Sequence, residues 1–203
     1  GVSYAGACPH LAAARRAAVI ERGGLKIGLL AFSSIIPRGF SAGPGKPGIN
    51  PLRVHTAYET WRDVNEYPGT LPKVATWADP EDLGRMKRDI RALKRRSDAV
   101  IVYHHWGTSM THRIQDFQTE IAHASIDAGA DLVLGGHAHV LQGVAFHKGV
   151  PIVYSMGNLI FDFHIPFFTD SSKQAFLFGC DFTKKGVQDP HLIPCWSGDF
   201  EKP

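Results

Sequence analysis

Two histidines, His137 and His139, stand one residue apart in the stretch DLVLGGHAHVLQG, directly after a short apolar run and a Gly-Gly pair. A second pair, His104 and His105, ends another apolar run in DAVIVYHHWG. Neutral imidazole is the commonest side-chain ligand for borderline metals such as zinc, iron and manganese. At i and i+2 of an extended segment two side chains point the same way, so His137 and His139 can bind on one side while the glycines keep the backbone close. His105 can add a third nitrogen if its strand lies beside theirs. The chain has eleven histidines, so the alternative is that these are ordinary loop residues brought together by chance. The elements that carry them bear on that choice.

Ala99 to Tyr103 reads as a strand running into His104 and His105, and DLVLGG reads as the next strand. Between them Phe117, Ile121, Ala124 and Ala128 recur at helical spacing, closed by Gly129. Strand, helix and strand in this order form a βαβ unit with parallel strands and a right-handed crossover. Both strands then deliver His105 and His137 to the same edge, the carboxyl edge where ligands of open α/β sheets gather. Upstream, LKIGLLAF (residues 25–32) reads as a buried strand bounded by Gly23-Gly24 and Pro37. Asp79-Pro80 caps a helix whose Leu83, Met86, Ile90 and Leu93 form one apolar stripe. Residues 37–78 are crowded with Pro and Gly and read as a long functional loop region at a substrate rim. Arg53 and His55 lie within it, and Arg53 can meet an anionic substrate through a bidentate contact or simply sit on the surface. Downstream, a hairpin turning near Lys148-Gly149 and two short strands around Lys184-Lys185-Gly186 suggest an antiparallel portion. The economical architecture is a single α/β domain.

Composition excludes several classes. At 203 residues, 44% hydrophobic and 20% charged, the chain is long enough for one sizeable core. The net charge is only +3, and seven basic residues lie between Arg85 and Arg96 on the helix face opposite its apolar stripe, so no nucleic-acid partner is expected. No run approaches the roughly 18 apolar residues of a membrane span, and GVSYAGACPH lacks the regions of a signal peptide, so the chain reads as soluble. Three scattered cysteines make no disulfide framework; at most Cys180 and Cys195 pair across neighbouring strands. Neither compartment nor oligomeric state is legible.

HHWG, FQTEIAHASIDAGADLVLGGHAHVLQG and VPIVYSMGNLIFD together resemble the C-terminal signature of the CapA family of poly-gamma-glutamate capsule synthesis, within the calcineurin-like metallophosphoesterase superfamily. GVSYAGA, LKIGLLAF and GINPLRV extend the resemblance over nearly the whole chain. It implies a four-layer α/β/β/α sandwich, of which residues 1–203 form the C-terminal part. It also implies two divalent metal ions (manganese, iron or zinc) and a metal-activated water that attacks a phosphorus centre. Two metals about 3.5 to 4 Å apart activate the nucleophile and stabilise developing charge. Carried over by motif, His105, His137 and His139 are metal ligands. His105 and its neighbour His104 are the catalytic candidates, with His104 alternatively only filling space. Asn158 in SMGN and Asp162 in NLIFD match a family motif, with Asn158 a candidate substrate contact and turn or capping roles the alternative.

The superfamily also places a Gly-Asp bridging carboxylate and an Asn-His motif in its N-terminal half. This chain has neither; its one Gly-Asp, Gly198-Asp199, lies in the tail. The expectation is that the N-terminal metal-binding part lies in a longer protein. Thr108-Ser109-Met110 and Ile114 replace a Glu-Tyr and a proline common after HWG, and Gly136 stands where a histidine is common. Three functions follow from the resemblance. The first is a metal-dependent hydrolase of a phosphoester or a polyglutamate-related amide, with an anionic small molecule, polyglutamate or a peptide as substrate. The second is a peptide-tailoring enzyme such as an epimerase in ribosomal-peptide biosynthesis, prompted by the altered rim. The third is a non-enzymatic subunit of capsule assembly or export that binds capsule-assembly partners.

Overall fold

The computed structural model describes residues 2–60, 65–161 and 169–197. In chain order the elements are β1 (Ala7–Cys8), α1 (Leu11–Ala14), β2 (Ala18–Arg22), β3 (Leu25–Ser33), β4 (Gly48–Ile49), β5 (Val54–Glu59), β6 (Lys73–Ala78) and α2 (Pro80–Lys94). There follow β7 (Ala99–His105), α3 (Asp116–Asp127), β8 (Leu132–Gly136), β9 (Val144–His147), β10 (Val150–Val153), α4 (Asp170–Lys173), β11 (Gln174–Thr183) and β12 (Gly186–Trp196). The central sheet has six strands in the order β2-β3-β7-β8-β10-β9. It is parallel from β3 to β10 and has an antiparallel strand at each edge.

Local chemistry sets the boundaries. Asp79 caps α2 by accepting from the backbone N–H groups of Glu81 and Asp82 at 3.1 and 3.0 Å, with Pro80 in the first turn, as the sequence predicts. A capping box between Gln115 and Gln118 starts α3, and Gly129 at φ 114° follows its end. The β9–β10 hairpin turns at Lys148-Gly149, as expected. β2 was not foreseen, because Gly23-Gly24 reads as a boundary. Both glycines have positive φ (59° and 76°) and form the two-residue turn of a β2–β3 hairpin.

Period-two alternation sends one set of side chains from each central strand to the helices. Leu30, Phe32, Val100, Val102 and Val133 point there and pack beneath Met86, Ile90 and Leu93 of α2 and Ile121 of α3. Each of these larger apolar side chains contributes about 1.5–3 kcal/mol of burial. The alternate set, Ile27, Leu29, Ile101, Tyr103 and Leu134, faces the other side and is only half-buried. Sheet and helices are the α/β layers of the expected sandwich.

Two expectations are corrected. Residues 37–78 are not one loop: β5 and β6 pair antiparallel from Val54↔Ala78 to Glu59↔Lys73. The alternating β-formers in VHTAYE and KVATWA overcame a Pro/Gly density that concealed them. Cys180 and Cys195 do not pair, because the β11–β12 register sets Cys195 opposite Ala175 while Cys180 falls at the bulge between Gly179 and Asp181. All three cysteines are free. Asp162, Gly198 and Asp199 lie outside the described residues.

Candidate metal and substrate site

β7 and β8 lie side by side in parallel, with His105 opposite Gly136, so the two chain segments leave the sheet together at its carboxyl edge. His105 therefore meets His137: Nε2 of the first lies 3.1 Å from Nδ1 of the second, with ring centroids 4.7 Å apart and planes inclined at 64°. The His139 ring lies 5.7 Å from that of His137. The structure thus brings together the three histidines expected to be ligands.

It does so by a local route that differs from the extended segment expected. β8 ends at Gly136, and the next residues bend sharply, with φ of 105° at His137 and 58° at His139. Non-glycine residues there cost about 1–3 kcal/mol each and persist only where surrounding contacts enforce them. The enforcing contacts are visible. Ala138 and Val140 are fully buried, the Ala138 carbonyl accepts from Met110 N at 2.8 Å, and the Val140 carbonyl accepts from Ser155 Oγ at 2.8 Å. The Gly-Gly pair before the histidines is required from both faces. A Cβ at Gly135 would collide with Trp106 Nε1 and the Tyr154 carbonyl, and one at Gly136 with the Tyr103 hydroxyl.

Hydrogen bonds orient the rings. Asn158 donates through Nδ2 to the carbonyls of Ser172 (2.9 Å) and His139 (3.3 Å), which leaves its Oδ1 to accept from His139 Nδ1 at 2.9 Å. That bond fixes the ring plane and places the proton of His139 on Nδ1, the role an outer partner has for a metal-binding imidazole. Ser109 Oγ lies 3.2 Å from His137 Nε2. Burial holds the His137 imidazole neutral, aided by the neighbouring His105 and His139, and its pKa falls to about 4. His105 is lowered by burial and then by His139. The His105 and His137 rings remain neutral at physiological pH, the state a ligand needs.

The donor set fits one divalent cation better than two. At metal–nitrogen bonds of about 2.0–2.1 Å, two tetrahedral ligands lie roughly 3.3 Å apart, close to the 3.1 Å between the His105 and His137 nitrogens. Among the described residues no group of three or more His, Cys, Asp or Glu side chains is spaced to hold a metal, so His139 stands beside this pair rather than converging with it. Among the described residues, Ser109 lies against His137, Asn158 against His139, and His105 and His137 against each other.

The other expected residues lie elsewhere. His104 points to the helix face of β7, fully buried between Phe32 and Trp106 with ring centroids 5.6 and 4.7 Å away. Its Nε2 lies 3.1 Å from Ser125 Oγ, and burial pulls its pKa down to about 3. It fills the core and does not join the cluster. Arg53 turns its guanidinium to the buried Asp82 of α2, through Nε and Nη2 at 2.8 Å each, and Arg85 joins the same carboxylate. Burial raises the Asp82 pKa, but the Arg53 contacts outweigh it and hold the group lowered. The bidentate contact expected of Arg53 is thus made within the protein. Ser109 belongs to the altered Thr108-Ser109-Met110 stretch after HWG, whereas Tyr103, two residues before His105 on the same strand and sharing its face, is a site residue that the sequence reading lacks. Tyr103 and His105 line one cavity of about 350 Å³ with Ser33, Ile35 and Phe32.

The signature of the bacterial capsule synthesis protein family PGA_cap matches residues 1–163, and the chain belongs to that family. It is 32% identical over 139 residues to the PGA biosynthesis protein CapA of Bacillus subtilis, covering 68% of this chain and 29% of that protein. Against the capsule biosynthesis protein CapA of Bacillus anthracis the identity is 42% over 69 residues, 34% of this chain and 17% of the relative. A probable polyglutamine synthesis accessory protein of Mycobacterium tuberculosis is 28% identical over 167 residues, 80% of this chain and 38% of the relative. The chain therefore spans well under half the length of each of these relatives.

Proposed function

We propose that this chain belongs to a metal-dependent hydrolase of capsule-polymer synthesis, acting on a polyglutamate-related amide or a phosphoester. The observation that carries the reading is the His105–His137 nitrogen pair at 3.1 Å, beside a third imidazole set in place by Asn158. Isolated surface histidines gain nothing from positive φ at His137 and His139, whereas a ligand site does. A divalent cation there, manganese, iron or zinc, supplies Lewis acidity to the carbonyl or phosphoryl oxygen and to a water. The chain's own residues hold His105 and His137 neutral, orient His139 through Asn158 and His137 through Ser109, and present the cluster beside the Tyr103–His105 cavity that can admit the substrate. The test is turnover of a γ-linked glutamyl oligomer and of an aryl phosphate with added Mn²⁺ or Zn²⁺, followed by mass spectrometry. Metal-dependent cleavage that His137→Ala abolishes supports the reading, and cleavage that survives His137→Ala contradicts it.

A second reading, a non-enzymatic capsule-assembly subunit, is favoured by the likeness to a Mycobacterium tuberculosis protein named as a probable polyglutamine synthesis accessory protein. It is distinguished by binding of other capsule-assembly components that persists unchanged in His137→Ala.

A further inference from the structure

The loop from Trp106 to Gln115 carries more than Ser109. It is stapled to the histidine segment by Met110 N to the Ala138 carbonyl at 2.8 Å and by His112 Nδ1 to the Leu141 carbonyl at 2.7 Å. From beneath, the buried Gln142 donates through Nε2 to the carbonyls of Thr111 and Arg113 at 3.0 and 3.1 Å. Gln118, fully buried, donates to Gln142 Oε1 at 3.1 Å and accepts from Gln115 N at 2.9 Å. Two buried glutamines thus fix the backbone of an exposed residue, Arg113.

The Arg113 side chain lines a cleft of about 420 Å³ between this loop, the β5–β6 hairpin and the chain leaving β3. Ser34, Thr56, Thr76, Thr108 and Tyr58 line the same cleft. Among the described residues its lining holds no other Lys, Arg or His and no Asp or Glu. Arg15, Arg53 and Arg85 are each paired with an aspartate, whereas among the described residues no carboxylate lies within ion-pair distance of Arg113. An arginine with a pinned backbone, no carboxylate partner among the described residues and hydroxyl-bearing residues around it is prepared for an external oxyanion.

Resting on the function proposed above, we infer that this cleft is a carboxylate-binding subsite, in which Arg113 takes a free carboxylate of a polyanionic glutamyl chain while the scissile bond lies at the histidines. One fork among neutral hydroxyls balances a single negative charge. A phosphate dianion calls for a second cation, and among the described residues the lining holds none. Ser109, bonded to His137, and Arg113 are separated by at most about 14 Å of chain. A γ-linked glutamyl polymer carries a free α-carboxylate on every residue, so one engaged at the histidines has a neighbouring carboxylate within reach of the cleft. The subsite makes the site a reader of the polymer's charge as well as of its bond.

The test is calorimetric titration of the intact protein at low ionic strength with a γ-linked glutamyl oligomer, the same oligomer with its free carboxyls amidated, and inorganic phosphate. Wild type, Arg113→Gln, Arg113→Lys and His137→Ala are compared after their thermal midpoints are matched. Arg113→Gln should weaken the acidic oligomer by about tenfold or more, the loss of charge-assisted hydrogen bonds. Arg113→Lys, which keeps the charge but not the fork, should fall between. The amidated oligomer should bind wild type and Arg113→Gln alike, and the Arg113 effect should persist in His137→Ala. Equal affinity of wild type and Arg113→Gln for the acidic oligomer overturns the subsite and leaves the substrate reading standing. Phosphate binding that depends on Arg113, with oligomer binding that does not, assigns the cleft to phosphate and overturns the carboxylate assignment. Absence of oligomer binding by the wild type overturns both readings together.

Discussion

His104 and His105 are neighbours on one strand, and the fold treats them oppositely. His104 faces α2 and α3, is fully buried between two aromatic rings and has its pKa drawn down to about 3. His105 faces the other side of the sheet, stays half-buried and meets His137 at 3.1 Å. Residue type is the same and the strand is the same; only the parity of the position differs. The comparison extends to whole faces. The helix side is a closed core of Leu, Ile, Val, Met and aromatic side chains, while the opposite side is half-open and carries the polar machinery at its carboxyl edge. Neutrality has a different meaning on each side: at His104 it accompanies packing, and at His105 and His137 it keeps donor nitrogens available for a ligand.

The sharpest way to break this contrast is to substitute the two neighbours in parallel. His105→Ala should lower metal-dependent turnover on the order of a thousandfold, about 4 kcal/mol of barrier, with little loss of stability. His104→Ala should instead cost about 3 kcal/mol of stability through the cavity it leaves, and spare metal binding. Chemical denaturation and turnover measured on both variants decide it, and the reverse pattern would end the distinction.

Asn158 sharpens the same line from behind the site. Asn158→Ala removes the acceptor that sets His139 and should reduce metal affinity about 10- to 100-fold while the His105–His137 pair remains. Metal titration of the variant checks this.

Acid should cost most on the closed face. His104 carries a folded-state pKa of about 3 against an ordinary value of 6.5, so in that interval the unfolded chain binds more protons than the native one. Its contribution to stability is therefore full above about pH 6.5 and is lost progressively as the pH falls toward 3. His137, lowered to about 4, adds in the same direction. Denaturation midpoints measured between pH 8 and pH 4 should fall with pH, and His104→Leu should flatten the fall.

The smallest effect is expected at Arg53. Removing it leaves Asp82 paired only with Arg85, so Arg53→Ala should cost about 1–3 kcal/mol in urea denaturation, with no change in metal affinity. A change in metal or substrate affinity with stability intact would return Arg53 to the substrate role.

What the sequence made legible was mainly periodic. The βαβ unit, the α2 cap, the closing glycine of α3 and the delivery of His105 and His137 to one edge all follow from alternation, helical spacing and turn residues, and the structure has them. The β5–β6 hairpin was hidden because Pro and Gly flank its short alternating strands. The bend at His137–His139 left no local trace: positive φ in a histidine is imposed by buried Ala138 and Val140, contacts remote in sequence. The double glycine before it was readable as close approach, but not as room for Trp106 on one face and Tyr103 on the other. The catalytic expectation for His104 and the substrate contact assigned to Arg53 rested on residue type. Strand parity turns the first into the core, and Asp82 takes the guanidinium of the second.

The most direct measurement is a calorimetric titration of Mn²⁺ or Zn²⁺ into the wild type, His137→Ala and His104→Leu near pH 7.5. One cation per chain in the wild type, lost in His137→Ala and retained in His104→Leu, is the predicted result. Binding that His137→Ala leaves untouched, or no binding by the wild-type chain, would contradict a metal centre on the open face of the sheet.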